Sequence, residues 1–193
     1  MSLAMSLARD LFTTRLQVAY CDDFDGAVAI LGAQFNRWES EVEGAIADPS
    51  NAKIARIIEE CWTKTGLPVF VQSEHAVLLR LGGVPIKKEL STSSAAAHVR
   101  TDQFLKWAAQ EVRALGRGNV VIVCGHGDHS LRFAALARHY GLDPIVPSAC
   151  RTVPYADRKI PGDQFWARTR GHYIPWEYVS RLVLIGMHMF RML

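Results

Sequence analysis

The chain contains no paired cysteines, no block of like charge and no apolar run near the ~20 residues that a membrane-crossing helix needs. Its four cysteines, Cys21, Cys61, Cys124 and Cys150, stand far apart, and no CxxC pair occurs. That spacing argues against both a disulfide framework and a cysteine-built zinc site, so all four are read as reduced thiols of a cytoplasmic protein. The most apolar stretch, "LVLIGMHMF" near the C-terminus, is bracketed by Arg181 and Arg191 and predicts a helix packed on the core. No membrane span is expected. The opening "MSLAMSLARDLFTTRL" carries Arg9, Asp10 and Arg15, which does not match a signal peptide. Neither GxGxxG nor GxSxG occurs, which removes the dinucleotide fingerprint and the hydrolase elbow.

What remains is an ordinary globular balance. Apolar residues make up 49% of the 193 and charged residues 21%, enough for one domain with a sizeable core. The net charge is +3 and the pI about 8.7, with Lys and Arg scattered, so nucleic acid is not an expected partner. A small-molecule ligand is. The oligomeric state is left open.

Strand and helix patterns alternate through the middle of the chain. "GAVAILGA" reads as a buried strand, followed by a helix opened by Asp48-Pro49-Ser50, where Ser50 or Asn51 would cap, and closed by Gly66. "LPVFVQ" and the weaker "VPIKKE" are further strands, separated by the short helix "SEHAVLLRLGG". "STSSAAAHVRTDQFLKWAAQEVRALG" predicts a long helix with Ser93 or Ser94 as cap. "NVVIVCG", "DHSLRFAALARHYG" and "DPIVPS" supply a fourth strand, its helix and a fifth strand. A last helical region starts at about Pro175.

This pattern predicts a single α/β domain over 1–193, with a core at about 26–148 and a C-terminal helical extension at about 163–193. The expected architecture is a three-layer α/β/α, Rossmann-like fold with a mainly parallel sheet of about five strands. In such sheets ligands bind outside the carboxyl ends of the strands. "VIVCGHGDHSLR" is one of those ends: four apolar residues give way at once to Gly125, His126, Gly127, Asp128 and His129.

The series "AILGA", "TGLPVFVQSEHA", "GGVPIKKELSTSS" and "GHGDHSLRFAALARHYGL" resembles the YdcF/SanA/ElyC-like bacterial proteins, over roughly residues 26–148. The most specific match is His129-x-x-Arg132, where the family carries His-x-x-Arg after its fourth strand. The Ser91, Thr92, Ser93, Ser94 cluster matches a polar loop, and Glu74-x-Ala76 resembles a Glu-Ala pair at a helix start. The family's paired glycines after the second strand are absent. Ala96 and Ala97 replace its Glu-Asn, and Gly125-His126 replaces a Thr or Ser position, as in a divergent, soluble member. The resemblance implies a Rossmann-like fold with polar residues at the carboxyl edge. It also implies a small anionic or nucleotide-like ligand, S-adenosylmethionine among the candidates, and it implies no particular reaction.

On chemistry alone, His129 at a helix start and Arg132 on the same face suit an anion; the plain alternative is Asp128 as a cap with both side chains solvated. Gly32 after the first strand would let a ligand approach the backbone. Gly125, His126 and Asp128 complete the candidate binding set. Glu74 and His129 are the candidate catalytic residues, with Glu74 equally readable as a ligand anchor or a favourable charge at the helix dipole. No metal site is assigned, although two other functions stay open. One is a metal-dependent hydrolase using His126, Asp128 and His129, with His75, His98 or His172 recruited by the fold. The other is a non-catalytic protein that acts through its apolar C-terminal helix. Arg168, Arg170, His172 and Trp176, near Glu177, would either close over the crevice or pin that helix to the domain.

Overall fold

The strands announced by apolar runs form one sheet in a computed structural model that describes residues 18–35, 48–90, 99–155 and 168–189. They are β1 (Ala29–Gly32), β2 (Val69–Gln72), β3 (Ile86–Leu90), β4 (Val120–Cys124) and β5 (Asp143–Ile145), all parallel, in the order β3-β2-β1-β4-β5. The helices are α1 (Pro49–Thr65), α2 (Ser73–Leu81), α3 (Thr101–Ala114), α4 (Ser130–His139) and α5 (Arg170–Met189). Short 3-10 turns cover Gly127–His129 and Ser148–Thr152. β1 and β2 are buried along their whole length because helices cover both faces of a parallel sheet. Ile58 of α1 and His75 of α2 crowd Gly32 from one face; on the other, Phe104 of α3 stacks on Phe133 of α4 at 6.1 Å. The result is the expected three-layer α/β arrangement.

The edges are handled by composition. β3 carries Lys87, Lys88 and Glu89, with both lysines exposed, which discourages pairing with another chain. Pro144 is tolerated in β5 because it is an edge strand. Among the described residues no helix is long and apolar enough to cross a membrane.

Several boundaries differ from the sequence expectation for identifiable reasons. β1 starts at Ala29, after Gly26 has turned the chain at φ 75°. α1 is capped by Asp48, whose carboxylate accepts from the Ser50 and Asn51 amides at 2.9 and 3.1 Å, and not by Ser50 or Asn51. Pro49 then occupies the first turn, where its missing N–H costs nothing. α3 starts at Thr101 with Arg100 at the cap position, so neither Ser93 nor Ser94 caps it. α5 starts at Arg170 and contains Pro175.

Cys61, Cys124 and Cys150 are buried and Cys21 is exposed, all as free thiols. Hydrogen bonding with Cys150 and Cys61, together with burial, holds the Cys124 thiol well above its ordinary pKa. A thiol titration of the native protein should therefore show one fast-reacting group, rising to four in denaturant. More than one fast thiol in the folded protein would contradict this packing.

Candidate functional site

The sheet order reverses at β1 and β4, which lie side by side although α1 and α4 leave them toward opposite faces. That switch is where a parallel sheet opens a crevice at its carboxyl edge. The last ladder bond there runs from the Ala33 amide to the Cys124 carbonyl at 2.9 Å, and the two chains then diverge. Side chains from neighbouring segments fix the departing β1 strand. The Gln34 amide donates to Gln72 Oε1 at 2.7 Å, and the Phe35 amide donates to Asn51 Oδ1 at 3.1 Å. Gln72 in turn donates through Nε2 to the Val99 carbonyl at 3.1 Å, tying the entry of α3 to the same edge.

The mouth of this crevice is filled by rings. Phe35 stacks on His126 with centroids 3.8 Å apart and planes 13° from parallel, and Tyr155 and Tyr173 pack around the pair. His126 is 2% exposed. Its Nδ1 accepts the Asp128 amide at 3.2 Å, which places the neutral ring's proton on Nε2, and Nε2 has no hydrogen-bond partner. Burial pushes the pKa of this imidazole down to about 4, with the Asp128 charge only partly opposing. His126 is therefore a neutral packing ring at pH 7.

Asp128 does not cap α4. Its Oδ2 accepts from the Tyr155 hydroxyl and, at 3.0 Å, from Arg170 Nε at the start of α5. Burial, and then hydrogen bonding to Asp128, raises the Tyr155 pKa. With its carboxylate held in this way, Asp128 clamps the last helix onto the β4–α4 loop. Among the described residues no group of three or more His, Cys, Asp or Glu side chains is arranged to hold a metal ion.

A second polar cluster lies one turn further along α4. Arg132 Nε stands 3.1 Å from Glu177 Oε2, and Arg181 Nε donates to Glu177 Oε1 at 3.1 Å. The Tyr173 hydroxyl donates to Glu177 at 2.7 Å. Glu177 is wholly buried and Arg181 is 1% exposed. Burial alone would lower the Arg132 pKa, yet the Glu177 carboxylate beside it raises it. The tail thus pins its helix and roofs the crevice at once. Arg181, which reads in the sequence as a charge bounding an apolar run, is one of the most buried side chains.

Beyond the ring stack lies a cavity of about 400 Å³. One part of its wall is polar: Gln34, Arg100, Thr101, Asp102, His129 and Arg132, drawn from β1's exit and the first turns of α3 and α4. Another is apolar: Leu136 of α4 with Trp176, Val179, Val183, Leu184 and Met187 of α5. His129 is 5% exposed and its Nε2 lies 3.3 Å from Thr101 Oγ1, so the two helix starts meet at this point. Arg100 spends Nε and one Nη on Asp102 at 3.0 and 2.8 Å, two of the guanidinium's five donors.

Of the residues singled out in the sequence, His129 and Arg132 line this cavity. His126 is itself one of the stacked rings, and neither it nor Gly125 nor Asp128 lines the cavity. Gly32 does not open the backbone to a ligand: a Cβ there would lie 2.5 Å from Ile58 Cδ1 and 2.8 Å from Val71 Cγ1. It is a packing glycine. Glu74 is the second residue of α2, at the carboxyl end of β2; Ser91, Thr92, Ser93, Ser94 and His98 lie outside the described residues. His75 is buried against the sheet and His172 is exposed on α5. Sequence reading missed Gln34, Phe35, Arg100, Thr101, Asp102, Tyr155 and Tyr173. A correct start for α3 would have exposed Thr101 and Asp102 as first-turn residues.

No family model, curated protein or solved structure matches the chain.

Proposed function

We propose that the protein binds a small anionic ligand in the cavity where α3 and α4 begin, as a YdcF-like protein acting at the carboxyl edge of its sheet. One observation carries this reading: Arg100 and Thr101 of one helix start and His129 and Arg132 of another converge on a single 400 Å³ cavity beside the strand-order switch. The positive dipole end of a helix favours an anion at such a place, and guanidinium groups add charge-assisted hydrogen bonds. The His129-x-x-Arg132 motif that carries the family resemblance lies on this wall. Nucleotide-like ligands, S-adenosylmethionine included, belong to the class to be screened. The bulky Gln34 and Phe35 after β1, where a dinucleotide fold has its glycine turn, weigh against a bound pyrophosphate.

A thermal-shift panel of phosphate, sugar phosphates, nucleotides, S-adenosylmethionine and divalent metals tests the proposal. A ligand at 100 times its Kd adds about 2.7 kcal/mol. In a chain of this size that corresponds to a rise of roughly 5–10 °C in Tm. The shift should appear with anions and shrink in Arg100→Gln and His129→Gln proteins. A response to metals alone would favour the hydrolase reading instead.

A second reading has its own support. Trp176, Tyr178, Val179, Leu182 and Val183 of α5 are 40–55% exposed, an apolar face that a protein partner would cover. A stable oligomer in solution, broken by Leu182→Asp, would favour this interaction role over ligand binding.

A further inference from the structure

The cavity's two kinds of wall define a ligand more closely than charge alone. Apart from Gln34 its charged and polar groups come from the starts of α3 and α4, whereas Leu136 lies a turn further along α4, and beyond Tyr173 the α5 lining runs from Trp176 to Met187. The 11 helical steps from Trp176 to Met187 extend about 16 Å. From Trp176 to Met187 this wall is aliphatic apart from Trp176 and Ser180; Tyr173, one turn earlier on α5, also lines the cavity, and its hydroxyl is already given to Glu177. A nucleobase would need hydrogen-bond partners for its edge there, and a buried edge without them is costly. An alkyl chain needs none. Val179 and Val183, 47% and 54% exposed, carry the apolar wall out of the cavity to the surface, so a chain has a way out.

We infer that the ligand is a single-chain amphiphile, with an anionic head at Arg100, Thr101, His129 and Arg132 and an aliphatic tail along α5. This rests on the anion-binding reading and narrows it. The volume holds roughly a dozen non-hydrogen atoms at ~30 Å³ each, which is a phosphate head and about eight carbons.

A homologous series tests this on the full chain, below micelle-forming concentrations: inorganic phosphate, then ethyl, butyl, hexyl, octyl and decyl phosphate, with octanoate and octanol alongside. Each methylene that enters the cavity should tighten binding by up to about fourfold. The expected gain is at least tenfold from butyl to octyl phosphate, with a plateau near octyl. Val183→Asp, at a half-exposed position that leaves folding intact (checked by Tm), should flatten the series without weakening the shortest members. Octanoate against octyl phosphate distinguishes a carboxylate head from a phosphate head, and tight binding of either fits the inference. A series that binds equally at every length would overturn the tail while leaving the anion site standing. Octanol binding as tightly as octyl phosphate would overturn the anionic head. If no member binds, the anion-binding reading falls and this inference with it.

Discussion

Replacing Glu177 by alanine should cost the fold about 3–5 kcal/mol, the range for breaking a buried ion pair from one side. An ordinary i,i+4 pair on a helix surface contributes only about 0.3–0.5 kcal/mol, so the size of the expected loss comes from burial. Glu177 is fully buried and receives Arg132, Arg181 and the Tyr173 hydroxyl. Truncation would leave the buried Arg181 without this carboxylate, and Arg132 without its partner at the cavity wall. Urea unfolding of Glu177→Ala against the native chain measures the loss directly. Glu177→Gln, which keeps an acceptor for Tyr173, should lose less. A loss below about 1 kcal/mol for the alanine variant would mean that this cluster is solvated in solution. Because Arg132 also lines the cavity, the same variant should loosen that guanidinium; Glu177 acts there as a positioning residue.

Stability should also fall steeply on mild acidification. His75 is wholly buried on the sheet face, neither ring nitrogen makes a well-aligned hydrogen bond among the described residues, and burial brings its pKa down to about 4 against a weaker opposing interaction with the Gly32 backbone. His126 behaves in the same way, also at about 4. An unfolded histidine titrates near 6.5, so between about pH 6.5 and 4 the unfolded chain takes up protons that the native chain refuses. The contribution is complete above pH 6.5 and is lost as the pH drops, at about 1.4 kcal/mol per pH unit for each histidine. Urea titrations at pH 7, 6 and 5 should show close to two histidines' worth of slope in the lower half of that interval. His75→Leu should remove one share and be no less stable at pH 5, because it deletes a buried polar ring whose nitrogens make no well-aligned hydrogen bond. A stability that stays flat from pH 7 to 5 would show that both rings reach water.

The sheet was readable because its signal is local: "AIL", "VFV" and "VVIVC" are uninterrupted apolar runs, and helix patterns separate them. A rule about parallel sheets points to the carboxyl edge, and a cavity lined by His129 and Arg132 lies there. Its composition did not follow, because it depends on contacts between distant segments. Phe35 meets His126 only after β1 and β4 pair, and Arg132 meets Glu177 only after α5 folds back. The charge on Arg181 carried no mark of burial, since its partner sits four residues away in an otherwise apolar stretch. Gly32 misled for a related reason. A glycine at a strand end is equally a ligand approach or a packing necessity, and only Ile58 and Val71 decide between them.

The strand order has a consequence for how the chain acquires its structure. β1 has neighbours on both sides, and on one of them Ile30 pairs with Ile122, 92 positions further along. Closing a loop of that length is paid for in entropy before any contact repays it. During synthesis β1 and β2 can associate early, but one edge of β1 stays bare until residues 120–124 have emerged. This buried, apolar strand is thus left half-paired through most of synthesis, which makes the nascent chain short of β4 a species exposed to association with other chains.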